Sequence, residues 1–458
     1  MSVKNTAGGT YPGVKITVLG GGLSGKSLAL LAARLSADVF LSDAAALPNE
    51  TLAELERDGV SFEVGGHTDR ALCCNFAVVS SGFPPKAEII GKFKDRGIKI
   101  VGELDFVSPF LNGRLIGITG SNGKTTTTSL LGHLLKSAGG GDRVAVVGNI
   151  GSAIADAAGQ DYDYIVAELS SFQLHRAEKI KLDIAILTNL APDHIDWHGS
   201  YKNYAADKMK IIKFVKEGGR AIVRKNELDE LGGGASGAVI LGWDEGRAPN
   251  KIVLSSDERR VYLSDETLFD FGDTSMIGAH NMENAGMAVA AAHMLGFGTY
   301  DFRRALSSFT PPPHRCALVA SSGGVRYVDD SKGTNVAATI TALSSIEGRK
   351  IIILGGRGKG EDYGRLAEPL KKFSKRAILI GEAADEIAVY LTKNEYPDFS
   401  RASSMEEAVS LASGIAEGGD VVLLSPACTS WDMYKNYGER GEHFASCVKK
   451  IIAGEDVT

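Results

Sequence analysis

A chain of 458 residues is too long for one hydrophobic core and predicts two to four domains. Hydrophobic residues at 44% and charged residues at 23% match a soluble globular protein, while a net charge of −6 argues against a surface built to hold nucleic acid. Five cysteines, with only Cys73 and Cys74 close together, make neither a disulfide framework nor a zinc spacing and point to a reducing compartment.

The opening stretch, MSVKNTAGGTYPGVK, lacks the apolar core of a signal peptide, and no apolar run reaches membrane-spanning length. A cytoplasmic protein with no membrane insertion is expected. The first predicted strand, residues 15–19, leads into Gly20-x-Gly22-x-x-Gly25 and an Ala/Leu-rich helix to about residue 35. A second strand, ADVFLSD, ends on Asp43, and FAVVSSGFPP reads as a later strand and loop. This is a βαβ unit whose glycines allow a tight turn and close phosphate approach. Taken alone it suggests NAD or FAD and does not say which nucleotide is bound.

A second unit begins near GRLIGITGSNGKT. The strict phosphate-loop pattern wants a glycine at position 118, where Ile118 stands, and Gly120 lies only three residues before Gly123. The motif is shortened rather than emptied. Gly120, Gly123, Lys124 and Thr125 still supply backbone donors, a cation for phosphates and a hydroxyl for Mg²⁺, between a strand and a helix. Hard oxygen ligands belong at strand ends, where AELSSFQLH puts Glu168 and TNLAPDHIDWHGS puts Asp193 and His194. Lys208, in the helical stretch YAADKMKIIKF, reads on spacing alone as a solvated lysine with no role. Residues 230–275 read as short strands in a small antiparallel flap, and HNMENAGMAVAAAHMLG as a helix ended by Gly296.

Pro311 to Pro313 make a linker, after which VRYVDDSK, KIIILGGRG, RAILIGEA and DVVLLSPA read as strands of a third unit. The expected fold class is α/β with three domains: a Rossmann-like N-terminal domain over 1–103, a central phosphate-loop mononucleotide-binding sheet over 104–311, and a Rossmann-like C-terminal domain over 312–458.

GITGSNGKTTT, ELSSFQL, TNLAPDHIDWHGSYKNYAADK, GAHNMENA, PPPHR, VDDSKGTN, GGRGKGEDY and SPACTSWDMYKNYGERG stand here in the order seen in the Mur ligases. The chain resembles that family over essentially its whole length, and the shortened phosphate loop is the family's own variant. The resemblance implies an ATP-dependent amide ligase of bacterial peptidoglycan synthesis, working through an acyl phosphate. The motifs fit best the member that adds D-glutamate to UDP-MurNAc-L-Ala. The alternatives are the alanine-adding member and a folylpolyglutamate synthetase-like ligase.

By matching position, the resemblance implies that Lys124, His194 and Lys208 are catalytic. ATP would meet Gly120, Asn122, Gly123, Lys124, Thr125, Thr126, Asn281, Asn284, Arg315 and Asp330. Two Mg²⁺ ions would be held by Thr125, Glu168, His194 and Lys208, the last carrying a CO₂-derived carbamate. That reverses the spacing-only reading of Lys208. The Gly20–Gly25 turn would hold the diphosphate of UDP, with Leu23, Ser24, Asp43, Gly82, Asn149 and Ser170 on the UDP-MurNAc-L-Ala substrate. D-Glutamate would meet Lys332, Thr334, Lys359, Ser430, Trp431 and Tyr437. Trp431 replaces a common Leu and Tyr437 a familiar Phe, so the outer wall of the acceptor pocket departs from the family. Cys428 is expected to be a packed apolar residue, and the chain a monomer acting on small molecules.

Overall fold

The computed structural model describes residues 9–230 and 237–454. Among them twenty strands form three sheets. The described residues up to Asp273, with Asn284–Ser308, make one compact unit; Thr274–Glu283 and the described residues from Phe309 onward make another.

The first unit carries two sheets. The N-terminal one is formed by β1 (Lys15–Leu19), β2 (Asp38–Asp43), β3 (Ser61–Val64), β4 (Phe76–Val79) and β5 (Lys99–Gly102), all parallel, in the order β3-β2-β1-β4-β5. β1 is the sequence KITVL and buries its last four residues, as a central strand covered on both faces must. Leu28, Leu31 and Ala32 of the Leu23–Arg34 helix pack on that strand in a cluster that also takes in Phe106, Phe110, Ile154, Leu169 and Leu174. The two sheets of this unit therefore share one core, with Tyr11 stacked on Phe106 and edge-on to Phe110 at the seam.

The central sheet contains β6 (Asn112–Thr119), β7 (Val144–Gly148), β8 (Asp161–Glu168), β9 (Leu182–Leu187), β10 (Val215–Arg224), β11 (Val239–Trp243), β12 (Lys251–Ser255), β13 (Arg260–Leu263) and β14 (Glu266–Asp270). Their order is β14-β13-β12-β11-β10-β9-β6-β8-β7, parallel through β12 and antiparallel at β12-β13-β14. The antiparallel flap expected over 230–275 is thus the far edge of this same sheet. β11 joins it in parallel through Ile222↔Val239, a pairing that local turn signals do not encode. Residues 231–236 of that stretch lie outside the described residues.

The second unit holds β15 (Ala317–Ser322), β16 (Val325–Asp329), β17 (Lys350–Gly355), β18 (Ser374–Ile380), β19 (Phe399–Arg401) and β20 (Val421–Leu424), in the order β15-β16-β20-β17-β18-β19. Only β15 runs antiparallel to its neighbour. Strand order reverses beside β20, so the loops after β16, β17 and β20 gather at one end, where open parallel sheets bind ligands. Among the described residues no helix is long and apolar enough to cross a membrane.

Candidate functional site

Backbone geometry explains the glycine turn after β1. A Cβ on Gly25 would lie 1.7 Å from the Gly20 carbonyl oxygen, and Gly20 itself has φ +87°. Only glycine lets the helix start this close to the strand end. The Asp43 carboxylate pins the turn, accepting from the backbone N–H of Gly21 and from that of Ala45 at 2.7 Å. Beside it lies a cavity of about 680 Å³, lined among others by Leu23, Ser24, Asp43, Gly82, Asn149 and Gln173. That volume suits a nucleotide-sized ligand. Ser170 is not among its lining residues. Its hydroxyl accepts from the Gln173 N–H at 3.2 Å, capping the Ser171–His175 helix. Gln173, which sequence reasoning passed over, reaches on to Glu103 with its side-chain amide at 3.3 Å. Glu103 is 2% exposed, and burial pushes its carboxyl up to about 7 against hydrogen bonding from Gln173, Ser81 and Ser24.

The phosphate loop joins β6 to the Lys124–Leu135 helix. Gly120 has φ +148°, and a Cβ there would meet Thr188 Oγ1 at 1.9 Å; Gly123 has φ +80°, and a Cβ there would meet Asn284 Oδ1 at 2.2 Å. The loop is strapped to the connection after β9. Ser121 N–H donates to Asn189 O at 2.9 Å and Asn122 N–H to Asn189 Oδ1 at 2.9 Å. Lys124 Nζ donates to Gly120 O at 2.8 Å and Ser121 O at 2.9 Å, keeping the ammonium on the loop. Thr125 follows it in the first turn of the helix, and Thr126 is buried.

Lys208 overturns the expectation of a solvated lysine. It is 2% exposed, donates to Gly120 O at 2.7 Å and sits 4.9 Å from the centre of the Tyr204 ring. Burial, reinforced by the Lys124 charge, holds its amine well below the ordinary lysine range, with Asp193 and Glu168 pulling the other way. Glu168, at the end of β8, is also buried: Oε1 accepts from Asn149 Nδ2 at 3.0 Å, while Oε2 has no hydrogen-bond partner. An orphaned buried carboxylate oxygen beside a loop of close-approach glycines fits a bound cation and phosphate. His194 has φ +51° and stands edge-on to Phe172 at 4.9 Å. Behind the lysine, Asp207 accepts from His175 Nδ1 at 2.8 Å and pairs with Lys210 at 2.8 Å, bracing the helix that carries Lys208.

In the second unit the loop after β16 carries Asp330, Lys332 and Thr334. Burial pushes Asp330 up to about 7, with Ser425 Oγ donating to its carboxylate at 2.7 Å. Lys332 Nζ lies 4.0 Å from the centre of the Tyr437 ring, a cation–π contact that fixes the side chain. Ser430 is buried and Trp431 is 65% exposed. Lys359 follows Gly358 in the loop after β17, and Arg315 follows His314, which pairs with Asp329 at 2.6 Å. Cys428 is buried, its sulfur 3.1 Å from the Tyr363 hydroxyl, in keeping with a packed residue. Asn281 is grouped with this unit, its amide donating to Ile277 O at 2.9 Å, whereas Asn284 belongs with the first.

Sequence reading missed Arg440. It is 1% exposed, and its guanidinium donates to Ser331 Oγ, Ser331 O, Cys428 O and Thr429 O at 2.8–3.2 Å. One side chain thereby ties the loop after β16 to the loop after β20. In the sequence it looks like any helix-surface cation. The adjacent Gly441 is its only local signal, since a Cβ there would lie 2.1 Å from His314 Nδ1.

Three mostly parallel sheets and a strand-to-helix phosphate loop backed by a buried lysine and acid define an α/β enzyme that handles a phosphorylated nucleotide. Residues 15–89 match the MurD N-terminal domain, residues 118–292 the Mur ligase middle domain, and residues 314–428 the glutamate ligase domain of Mur ligases. The chain belongs to the Mur ligase family, in its D-glutamate-adding branch. It is 35% identical to the UDP-N-acetylmuramoylalanine–D-glutamate ligase of Salinibacter ruber, over 96% of this chain and 98% of that one. The same-named enzyme of Pelotomaculum thermopropionicum is 36% identical over the same shares. A MurF ligase from Thermotoga maritima in complex with ADP shares the fold, with TM-score 0.59, 18% identity, and 91% of this chain and 95% of that one covered.

Proposed function

We propose that this chain is a bacterial cytoplasmic enzyme, acting as a monomer, that uses ATP to join D-glutamate to UDP-N-acetylmuramoyl-L-alanine. Residues 1–103 would bind the UDP part, 104–311 the ATP phosphates, and 312–458 the amino acid. The observation that carries this reading is the buried pair of Lys208 and Glu168 beside the phosphate loop. The substrate's alanyl carboxylate attacks the γ-phosphorus of ATP, giving an acyl phosphate and ADP. The amine of D-glutamate then attacks the acyl carbon, loses its proton, and phosphate leaves.

Both steps bring anions together, so positioning and charge neutralisation are the main tasks. Lys124 and the loop N–H groups serve the β- and γ-phosphates. Thr125, Glu168, His194 and a carbamylated Lys208 would hold two Mg²⁺ ions. When bound, these supply charge neutralisation at the phosphates and the reacting carboxylate. Lys208 suits carbamylation because its burial favours the neutral amine, which adds to CO₂ and releases a proton. The carbamate N–H retains a donor for Gly120 O. The cavity beside Gly20, Gly25 and Asp43 would take UDP, with Asn149 and Ser170 toward the muramoyl part. Lys332, Thr334, Lys359, Ser430, Trp431 and Tyr437 would surround D-glutamate, and Asn281, Asn284, Arg315 and Asp330 would meet ATP.

The test is phosphate release from ATP with UDP-N-acetylmuramoyl-L-alanine, offering D-Glu, L-Glu, L-Ala and meso-diaminopimelate one at a time. Release with D-Glu alone, with a product heavier by one glutamyl residue, is expected. Release with another amino acid would move the acceptor assignment, and no release with any would overturn the reading.

A further inference from the structure

The second unit contains a cluster that the ligase reaction does not use. Glu406 lies in the first turn of the Met405–Ile415 helix, while His443 and Cys447 stand four residues apart, on one face of the Tyr437–Ala453 helix. One donor atom from each, a carboxylate oxygen, an imidazole nitrogen and a thiol sulfur, lies within 4.8 Å of the other two. His443 Nε2 is 2.8 Å from Glu406 Oε1, and the other ring nitrogen, Nδ1, is 2.9 Å from the Tyr434 hydroxyl. Cys447 is 2% exposed, but the His443 and Glu406 side chains are 35% and 32% exposed, leaving an approach from solvent.

We propose that Glu406, His443 and Cys447 form a binding site for a single Zn²⁺-like divalent ion that clamps these two helices together. Oxygen, nitrogen and sulfur donors together select a borderline-soft ion over Mg²⁺, so the Mg²⁺ of the ligase reaction does not compete here. Zinc bonds of about 2.0–2.3 Å in a tetrahedron separate donors by roughly 3.3–3.8 Å, so the His–Glu pair, now at 2.8 Å, opens by about half an ångström and the thiol, within 4.8 Å of both, closes by at most about 1 Å. Tyr434 supplies the outer partner that metal-bound imidazoles have: with Nδ1 engaged by the phenol, Nε2 is turned toward the ion. Binding takes the thiol from Cys–SH to a metal-bound thiolate, and its proton passes to solvent. A fourth position is left for water.

Co²⁺ titration of the full chain tests this, because cobalt–thiolate charge transfer reports sulfur ligation directly and neither the ATP site nor the His175–Asp207 group contains a cysteine. The background is Cys73→Ser/Cys74→Ser, which removes the cysteines that are not buried. One equivalent of Co²⁺ is expected to give the charge-transfer band, and Zn²⁺ to bleach it. Cys447→Ser should lose the band while keeping the far-ultraviolet circular dichroism of the parent. Tyr434→Phe keeps all three ligands and should weaken Co²⁺ binding about 10- to 100-fold. No band at one equivalent, a band that survives Cys447→Ser, or unchanged affinity in Tyr434→Phe would overturn the proposal.

Discussion

Lys208 Nζ donates to the Gly120 carbonyl oxygen at 2.7 Å, joining the Tyr201–Lys213 helix to the first glycine of the phosphate loop. Burial disfavours the charged form of this lysine, and the neutral amine is the form that reacts with CO₂. Protein incubated with ¹³C-bicarbonate should therefore show one carbamate carbon resonance, absent from Lys208→Arg. The same variant should lose phosphate release by roughly a thousandfold, because a fixed cation replaces an anion worth several kcal/mol to bound Mg²⁺. Full activity in Lys208→Arg would remove the carbamate from the reaction.

That relationship also marks where sequence reading ends. The phosphate loop was legible because its glycines, lysine and threonine are consecutive and each answers a local geometric need. The same holds for Gly20 to Gly25, where the clash at Gly25 is with a carbonyl five residues away. Lys208 differs: its burial comes from Gly120, 88 residues distant, and helical spacing gives no hint of it. Family resemblance implied a role where periodicity implied none, and the structure buries the side chain. Arg440 was legible by neither route, since its partners at 331, 428 and 429 are brought together only by the strand order β16-β20-β17. The antiparallel pairing of β13 and β14 agrees with the expected flap, whereas β11 and β12 join the central sheet in parallel, because pairing partners are a tertiary property.

Lys124 and Lys359, proposed to serve the phosphates and the amino acid, should separate by kinetic signature. Lys124 faces the phosphate loop, so Lys124→Ala should abolish phosphate release while leaving binding of the UDP substrate, measured by calorimetry, within about threefold of wild type. Lys359, in the glycine-rich loop after β17, should act on the amino acid. Lys359→Ala should raise the KM for D-glutamate at least about tenfold, the loss of one charge-assisted hydrogen bond. An unchanged KM would take Lys359 out of the acceptor pocket.

Glu103 makes a stability prediction with a defined pH window. Its carboxyl is raised by burial from 4.5 to about 7, so between those values the folded chain holds more protons than the unfolded one. Stability from this group is complete below about pH 4.5 and is lost as pH rises through about 7. Glu103→Gln removes the buried charge while keeping a partner for the Gln173 amide. The variant should therefore be more stable than wild type at pH 8, by a few kcal/mol at most, and nearly equal at pH 4.5. Urea unfolding midpoints at the two pH values measure this. An equal difference at both would show that Glu103 does not titrate in this window.

Arg440 joins the loops after β16 and β20, which are proposed to hold D-glutamate, so its loss should appear in both folding and amino-acid binding. Arg440→Ala leaves the carbonyls of Ser331 and Cys428 without these bonds in a buried setting, at a cost of about 1–3 kcal/mol for each unsatisfied group, while Thr429 O keeps the Arg357 N–H at 2.9 Å. Arg440→Lys keeps the charge and at most three donors but lacks the planar fork that spans both loops. The expected result is a lower melting temperature in both variants. In the better-folded lysine variant, KM for D-glutamate should rise several-fold, with the KM for the UDP substrate unchanged, because the cavity proposed for UDP beside Gly25 lies in the other compact unit. Equal rises in both KM values would mean a disturbance not confined to these two loops, and a fall in kcat alone a smaller folded fraction; either would remove Arg440 as the residue that positions the loops after β16 and β20 for the amino acid.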